Sequence, residues 1–263
     1  MGNELKRGFL NWKFITSVLA VLALMIVYTV VQPYFFEGYE SMNVFEIFYG
    51  VIYGLPIQIS LILAAIPYTC SLCDDLEYRY IFSILTRETT FTFIIKRFLV
   101  IFLTAWMVMI CAICLYVMII HSVMPWYDGV IGGEYDMLIV EAGGWYDQIM
   151  KKNEFLFFLV FALQYGMLSG VLALIAANIS IVCPNRLLTL SAPFLVIYIL
   201  NDLSSINSMA GGRLDLWQIY NILYNVMKND KISFFYSIIF TIIVGIILCS
   251  TGRLLLERKL RHV

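Results

Sequence analysis

Few residue types in this chain could do chemistry, and the first to test are four cysteines in two C-x-x-C pairs, Cys70 with Cys73 and Cys111 with Cys114. In a soluble protein that spacing would suggest zinc ligation or a thiol redox couple. Here Cys70 and Cys73 close one apolar stretch, whereas Cys111 lies 13 residues into the next, about 20 Å deep at the helical rise. No single tetrahedral site can take both pairs. Cys183 and Cys249 fall near the same side as Cys70 and Cys73, and the set reads as small apolar side chains rather than metal ligands. The two histidines, His121 at the end of an apolar stretch and His262 in the tail, have no H-E-x-x-H around them. Neither G-x-S-x-G nor a Walker-type G-x-x-x-x-G-K-[ST] occurs. The expectation is a chain that is not an enzyme, with no metal and no cofactor of its own.

A second kind of chemistry is presentation of charge to a partner, and one segment is built for it. Residues 73–98 read CDDLEYRYIFSILTRETTFTFIIKRF. Tyr78, Ile81, Phe82 and Leu85 follow the i, i+3, i+4, i+7 spacing of an apolar helix face, with Glu77, Arg79, Ser83, Arg87 and Glu88 displayed elsewhere. The pattern predicts a short amphipathic helix lying flat, apolar side down.

The elements that would carry this segment are membrane spans. Hydrophobic residues make up 62% of the 263, above the roughly 45 to 50% of soluble domains, and mean hydropathy is +0.87. A helix needs about 20 apolar residues to cross a hydrocarbon core about 30 Å thick. Five segments meet that plainly, at about 14–36, 47–70, 98–120, 155–181 and 232–252. A sixth, about 187–203, is shorter in its apolar part and contains Pro193.

Charge argues for keeping the sixth. With six spans, Lys6, Arg7, Lys13, Arg79, Arg87, Lys96, Arg97, Arg186, Arg253, Arg258, Lys259 and Arg261 share one side, and Lys151, Lys152, Arg213, Lys228 and Lys231 the other. Six acidic residues accompany the first group and twelve the second, giving +6 against −7. Lys and Arg collect on the cytoplasmic side, so both termini are expected there. Removing the Pro193 segment would put the basic tail outside and weaken the asymmetry. The external segment Ser122 to Glu154 carries a local charge of −4; Trp126 and Trp145 within it, and Trp217 further on, suit an interfacial belt.

The chain begins with a basic stretch in which Leu5, Phe9 and Trp12 share a helical face, predicting an interfacial helix ahead of a retained first span. Inside the spans almost nothing ionises. Gln58, Ser60, Thr104, Gln164, Ser169 and Asn178 are polar but uncharged, which speaks against a proton relay. Gln58, Gln164 and Asn178 are the candidates for contact with a pathway or for helix packing. Gly50 with Gly54 and Gly166 with Gly170 form G-x-x-x-G spacings that allow close helix approach. After the fifth span, Leu216, Ile219, Tyr220, Leu223, Val226 and Met227 form one apolar face opposite Asp215, Gln218, Asn221 and Asn225.

The acidic opening at Asp74 and Asp75, the amphipathic turn ending in Leu85, Thr86, Arg87 and the aromatic lead to Lys96 and Arg97 resemble the ABC-2 family of transporter permeases. The resemblance extends in layout over the whole chain. It departs from the commoner pattern where Arg79 and Tyr80 stand near an expected Gly-Thr and where Arg87 follows Thr86 without a Pro-x-Ser. The fold implied is an all-α integral membrane protein, a single transmembrane domain over residues 1–263. It has six transmembrane helices, an N-terminal interfacial helix, a cytoplasmic coupling helix and an external half-inserted hairpin. The resemblance assigns coupling to Glu77, Tyr78, Arg79, Ile81, Phe82, Leu85, Arg87 and Glu88. It implies a cytosolic ABC ATPase partner that holds ATP and Mg, a second copy of the chain or a related permease, membrane lipid around both, and no nucleic acid. The location implied is the bacterial cytoplasmic membrane. The activity implied is ATP-driven export, with amphipathic, antimicrobial or cytolytic peptides as cargo. Lipid or polysaccharide export is the alternative within the family, and a membrane sensor or scaffold the alternative outside it.

Overall fold

The computed structural model describes residues 2–31, 43–78, 80–126, 153–207, 216–221 and 229–261. Among these there are ten helices and no strand: α1 (Gly2–Phe9), α2 (Trp12–Val31), α3 (Val44–Tyr53), α4 (Leu55–Glu77), α5 (Tyr80–Leu85), α6 (Thr90–His121), α7 (Glu154–Val182), α8 (Arg186–Asn207), α9 (Leu216–Tyr220) and α10 (Asp230–Arg261). Of the described helices, α2, α4, α6, α7 and α10 are long and apolar enough to cross a membrane. The chain is a multi-pass, all-α membrane protein. Much of the segment after Trp126 that is expected to be external, the residues beyond Asn221 in the expected hairpin, and Arg79 lie outside the described residues.

The long helices alternate in direction, as their end contacts show. Thr29, late in α2, meets the Tyr116 hydroxyl, late in α6, at 2.6 Å. Asp75 near the end of α4 pairs with Arg97 near the start of α6, and Asp74 with Arg186 at the start of α8. The end of α10 reaches both the end of α7, where Lys259 Nζ donates to the Ile181 carbonyl at 2.7 Å, and the start of α6, where the Thr90 hydroxyl donates to Glu257 at 3.4 Å. One end of the bundle therefore collects eleven of the twelve cations that the charge pattern groups together, Arg79 being the one not described.

Position in the bundle follows residue size and polarity. Helix α7 is the central one, with 83% of its apolar window buried, against 17% in α10. Its small residues Gly166, Ser169, Gly170, Ala173 and Ala177 are all buried, and Gly166 and Gly170 face Trp106 and Phe102 of α6. Helix α10 instead exposes Ile232, Phe235, Ile239, Ile242, Ile243 and Ile246, an uncovered apolar face.

Two expectations need correction. The segment 47–70 is not one helix: α3 stops at Tyr53 and α4 begins at Leu55. Pro56 lacks an amide proton and suits the first turn of a helix, while Gly54 lies against Tyr28, where an added Cβ would stand 2.5 Å from the phenol oxygen. The break leaves α3 buried through Val44, Phe45, Ile47, Phe48, Val51 and Ile52, with the Phe48 ring edge-on to Phe158 and Phe161.

The Leu5, Phe9, Trp12 stripe is likewise interrupted. Helix α1 ends at Phe9 and Asn11 caps α2, its Oδ1 accepting from the Lys13 amide at 3.3 Å. Trp12 starts the next helix and is exposed, whereas Leu5 packs inward. In the opposite direction, Pro193 does not shorten α8, which runs for 22 residues, about 33 Å at the helical rise. Its apolar part is the shorter Arg186–Ile199.

Candidate functional site

The basic end is organised around one buried cation. Arg97 lies seven residues after the start of α6 with its side chain only 1% exposed. A guanidinium this enclosed requires counter-charges and acceptors around its fork. Nη1 faces Glu4 Oε2 of α1 at 3.1 Å and donates to the Tyr68 hydroxyl at 2.5 Å and the Ser71 hydroxyl at 3.3 Å. Nη2 donates to Asp75 of α4. The Tyr68 hydroxyl in turn donates to Glu4. The rings of Tyr68 and Phe93 lie 5.4 and 5.6 Å from the guanidinium carbon. One side chain thus ties together α1, α4 and α6.

Adjacent positions on a helix point about 100° apart, so the Asp74–Asp75 pair serves two neighbours. Asp75 faces α6 through Arg97, and Asp74 faces α8 through Arg186, at 2.6 Å. A third tie runs outside them: Arg253 of α10 holds Glu257 at 2.7 Å and lies 5.3 Å from the Phe91 ring of α6. Hydrogen bonding from Arg253 holds the Glu257 carboxyl below its usual value.

Between α4 and α6 sits α5, directly beside this knot. Helix α4 runs on to Glu77, and the Tyr78 amide closes it by donating to the Asp74 carbonyl at 2.9 Å. The Arg87 and Glu88 amides then turn back onto the Ile84 carbonyl. Thr89 caps α6 by accepting from the Thr92 amide. Ile81 is buried, and Ile84 and Leu85 pack beside it on the cluster of Leu72, Leu76, Phe93 and Phe98. Outward stand Glu77, Tyr78, Tyr80, Ser83, Thr86 and Arg87. Ser83 and Thr86 turn their hydroxyls back to the carbonyls of Tyr80 and Ser83, and Glu88 pairs with Lys96 at 2.7 Å.

The residues singled out for coupling are therefore drawn together, with one change of face. Tyr78 does not join the apolar side: it is 62% exposed, its ring 6.3 Å from Tyr80. The helical count from Tyr78 fails because α4 ends and α5 restarts at Tyr80, and Ile84 takes the vacated place. Arg79 and the side chain of Phe82 are outside the described residues.

The intramembrane polar candidates do not converge. Gln58 is half-buried on α4. Buried Gln164 donates to Ser237 at 3.4 Å, and buried Asn178 to the carbonyls of Leu174 and Leu248 at 3.2 and 3.1 Å, so both fasten α7 to α10. Of the expected hairpin, α9 is described. Ile219, Tyr220 and Asn221 are buried, with the Tyr220 hydroxyl 2.8 Å from Thr241 of α10.

Comparison with known proteins found no matching family model, no matching curated protein and no matching solved structure.

Proposed function

We propose that this chain is the membrane-spanning subunit of an ATP-driven exporter of the ABC-2 type, crossing the bacterial cytoplasmic membrane six times with both termini in the cytosol. The observation that carries the reading is α5: a short helix at the cation-rich end, anchored by Ile81 and presenting Glu77, Tyr78, Tyr80 and Arg87 outward. A cytosolic ATPase that gripped this surface would pull on α4 and α6 together, because Arg97 joins both to α1 beside it. The chain has no nucleotide loop of its own, so ATP and Mg belong to that partner. A second copy of the chain, or a related permease, completes the pathway. An amphipathic peptide suits the aromatic, methionine-rich composition; lipid or polysaccharide export is the rival cargo.

Two expected outcomes test this reading. Purified alone, the chain neither binds nor hydrolyses ATP, and hydrolysis appears with a copurifying ATPase. Replacing Arg79 and Arg87 together by Glu is expected to release that partner or to uncouple cargo-stimulated hydrolysis, with membrane insertion unchanged. Like charges brought together in a desolvated socket cost several kcal/mol, whereas an exposed pair contributes roughly 0 to 1. A double variant that keeps its partner and transports normally removes α5 from the mechanism. If nothing but the chain itself is ever recovered, the sensor or scaffold reading gains.

Topology is tested separately with single cysteines at Ser205, in α8, and Lys259, in α10, on a background without native cysteine. An impermeant thiol reagent added to intact cells is expected to reach position 205 only. Labelling at 259 from outside would overturn the six-crossing arrangement.

A further inference from the structure

The turn from α1 into α2 leaves a cationic cleft beside the start of the first span. The cleft has a volume of about 660 Å³ and lies between α1, the head of α2 and the end of α4, with Lys6, Arg7, Trp12, Lys13 and Ser71 in its wall. Asp74 and Asp75 also border it, but their carboxylates are engaged by Arg186 and Arg97. Glu4 is engaged by Arg97 and Tyr68. Counting Lys6, Arg7, Lys13, Arg97 and Arg186 against Glu4, Asp74 and Asp75 leaves the site at +2. The unspent charge is at the rim, since Arg7 reaches Glu4 only at 4.0 Å, and Lys6 and Lys13 make no ion pair among the described residues.

Beside these cations stand two large apolar side chains, Leu10 at 81% and Trp12 at 72% exposure, where the chain enters its first apolar stretch. A cationic rim and an uncovered apolar edge at the membrane boundary need an anion and a hydrocarbon surface at once. An inorganic anion would satisfy only the first. An anionic phospholipid supplies both, and Trp at the headgroup level is the usual interfacial anchor.

We propose that this cleft binds the phosphate headgroup of an anionic phospholipid, with Lys6, Arg7 and Lys13 on the phosphate and Leu10 and Trp12 against the acyl chains. Ser71, which accepts from Arg97 at 3.3 Å, keeps its own proton to donate. This assignment stands independently of the exporter reading, because it uses neither α5 nor an ATPase.

The test is native mass spectrometry of the full chain, with any copurifying partner, titrated in detergent with phosphatidylglycerol or with phosphatidylcholine of the same acyl chains. Phosphatidylglycerol is expected to bind at concentrations lower by about a hundredfold, the scale of three juxtamembrane cations at about 1 kcal/mol each. In the triple variant Lys6→Gln, Arg7→Gln, Lys13→Gln the two lipids should bind alike, whereas Lys6→Arg, Lys13→Arg should keep the preference. Equal binding of the two lipids by the unaltered chain overturns the proposal whether or not the triple variant folds. So does a preference that survives in a triple variant eluting as a single monodisperse species. Loss of bound phosphatidylglycerol to millimolar inorganic phosphate would mark a free-anion site and overturn the lipid assignment.

Discussion

Arg97→Met is expected to cost about 3 to 5 kcal/mol of stability, the scale for breaking a buried ion pair from one side. The reason is what it leaves behind. Glu4 and Asp75 would face each other with no cation between them, and the Tyr68 hydroxyl would keep only its bond to Glu4. Arg97→Lys should recover part of the loss, since an ammonium restores the charge but not the fork that serves Glu4, Tyr68, Ser71 and Asp75 together. Removing the whole set, Arg97→Met with Glu4→Gln and Asp75→Asn, should be less damaging than Arg97→Met alone, because neutral partners of similar shape leave no orphan charge. Unfolding by SDS in mixed micelles measures all three. Limited proteolysis should show residues 2–9 released first in Arg97→Met, as α1 is held there by Glu4. An Arg97→Met protein as stable as the unaltered chain would mean that the knot contributes nothing.

That knot marks where reading the sequence stopped short. Spans, their alternation and the gathering of cations at one end follow from apolar length and charge sign, which are local properties of the chain. Arg97 was legible only as one more cytoplasmic cation, because its partners lie 22 positions back at Asp75 and 93 positions back at Glu4, and nothing local pairs them. A signal did exist: Thr89 followed by Thr92 is an N-cap arrangement, and starting α6 there rather than at Phe98 puts Arg97 two turns inside a helix, where a charge needs partners. The link helix shows the same limit in reverse. Ile81 and Leu85 of its apolar spacing do pack inward, but Tyr78 belongs to the end of α4, and a periodicity cannot show where one helix stops and the next restarts. The break between α3 and α4 was readable from Gly54 and Pro56. A continuous apolar run hid it, since hydropathy does not register backbone geometry.

The contact between α6 and α7 should be the most sensitive to added volume, because lipid is as apolar as the helices and gives them little hydrophobic reason to associate. Close packing has to hold them, and small residues permit it. A Cβ on Gly166 would stand 2.5 Å from Trp106 Cδ1 and 3.0 Å from the Trp106 carbonyl oxygen; one on Gly170 would have the Phe102 ring as its nearest neighbour, also at 2.5 Å. The difference decides the ranking. Trp106 is fixed by its indole N–H donating to the Leu163 carbonyl at 3.0 Å, and its backbone cannot yield without shifting α6. Phe102 and Trp106 both border an apolar cavity of about 310 Å³ shared with Met167, Phe234 and Ile238, but the Phe102 ring carries no hydrogen bond to hold it and so has room to turn. Alanine also gains about 1 kcal/mol over glycine in a helix, against an overpacking cost of about 1 to 3. Gly170→Ala is therefore expected to be near neutral and Gly166→Ala destabilising by up to about 2 kcal/mol, the difference of those two effects. Gly166→Leu should force α6 and α7 apart, breaking the Ser169 hydroxyl to Ala105 carbonyl contact of 3.4 Å as well, and yield no monodisperse protein on extraction. Thermal unfolding of the two alanine variants in one detergent gives the order. If Gly166→Ala matched Gly170→Ala, the helices would have to approach less closely at Trp106 than the glycine contacts place them, and the α7 small-residue face would be a lining rather than a seam.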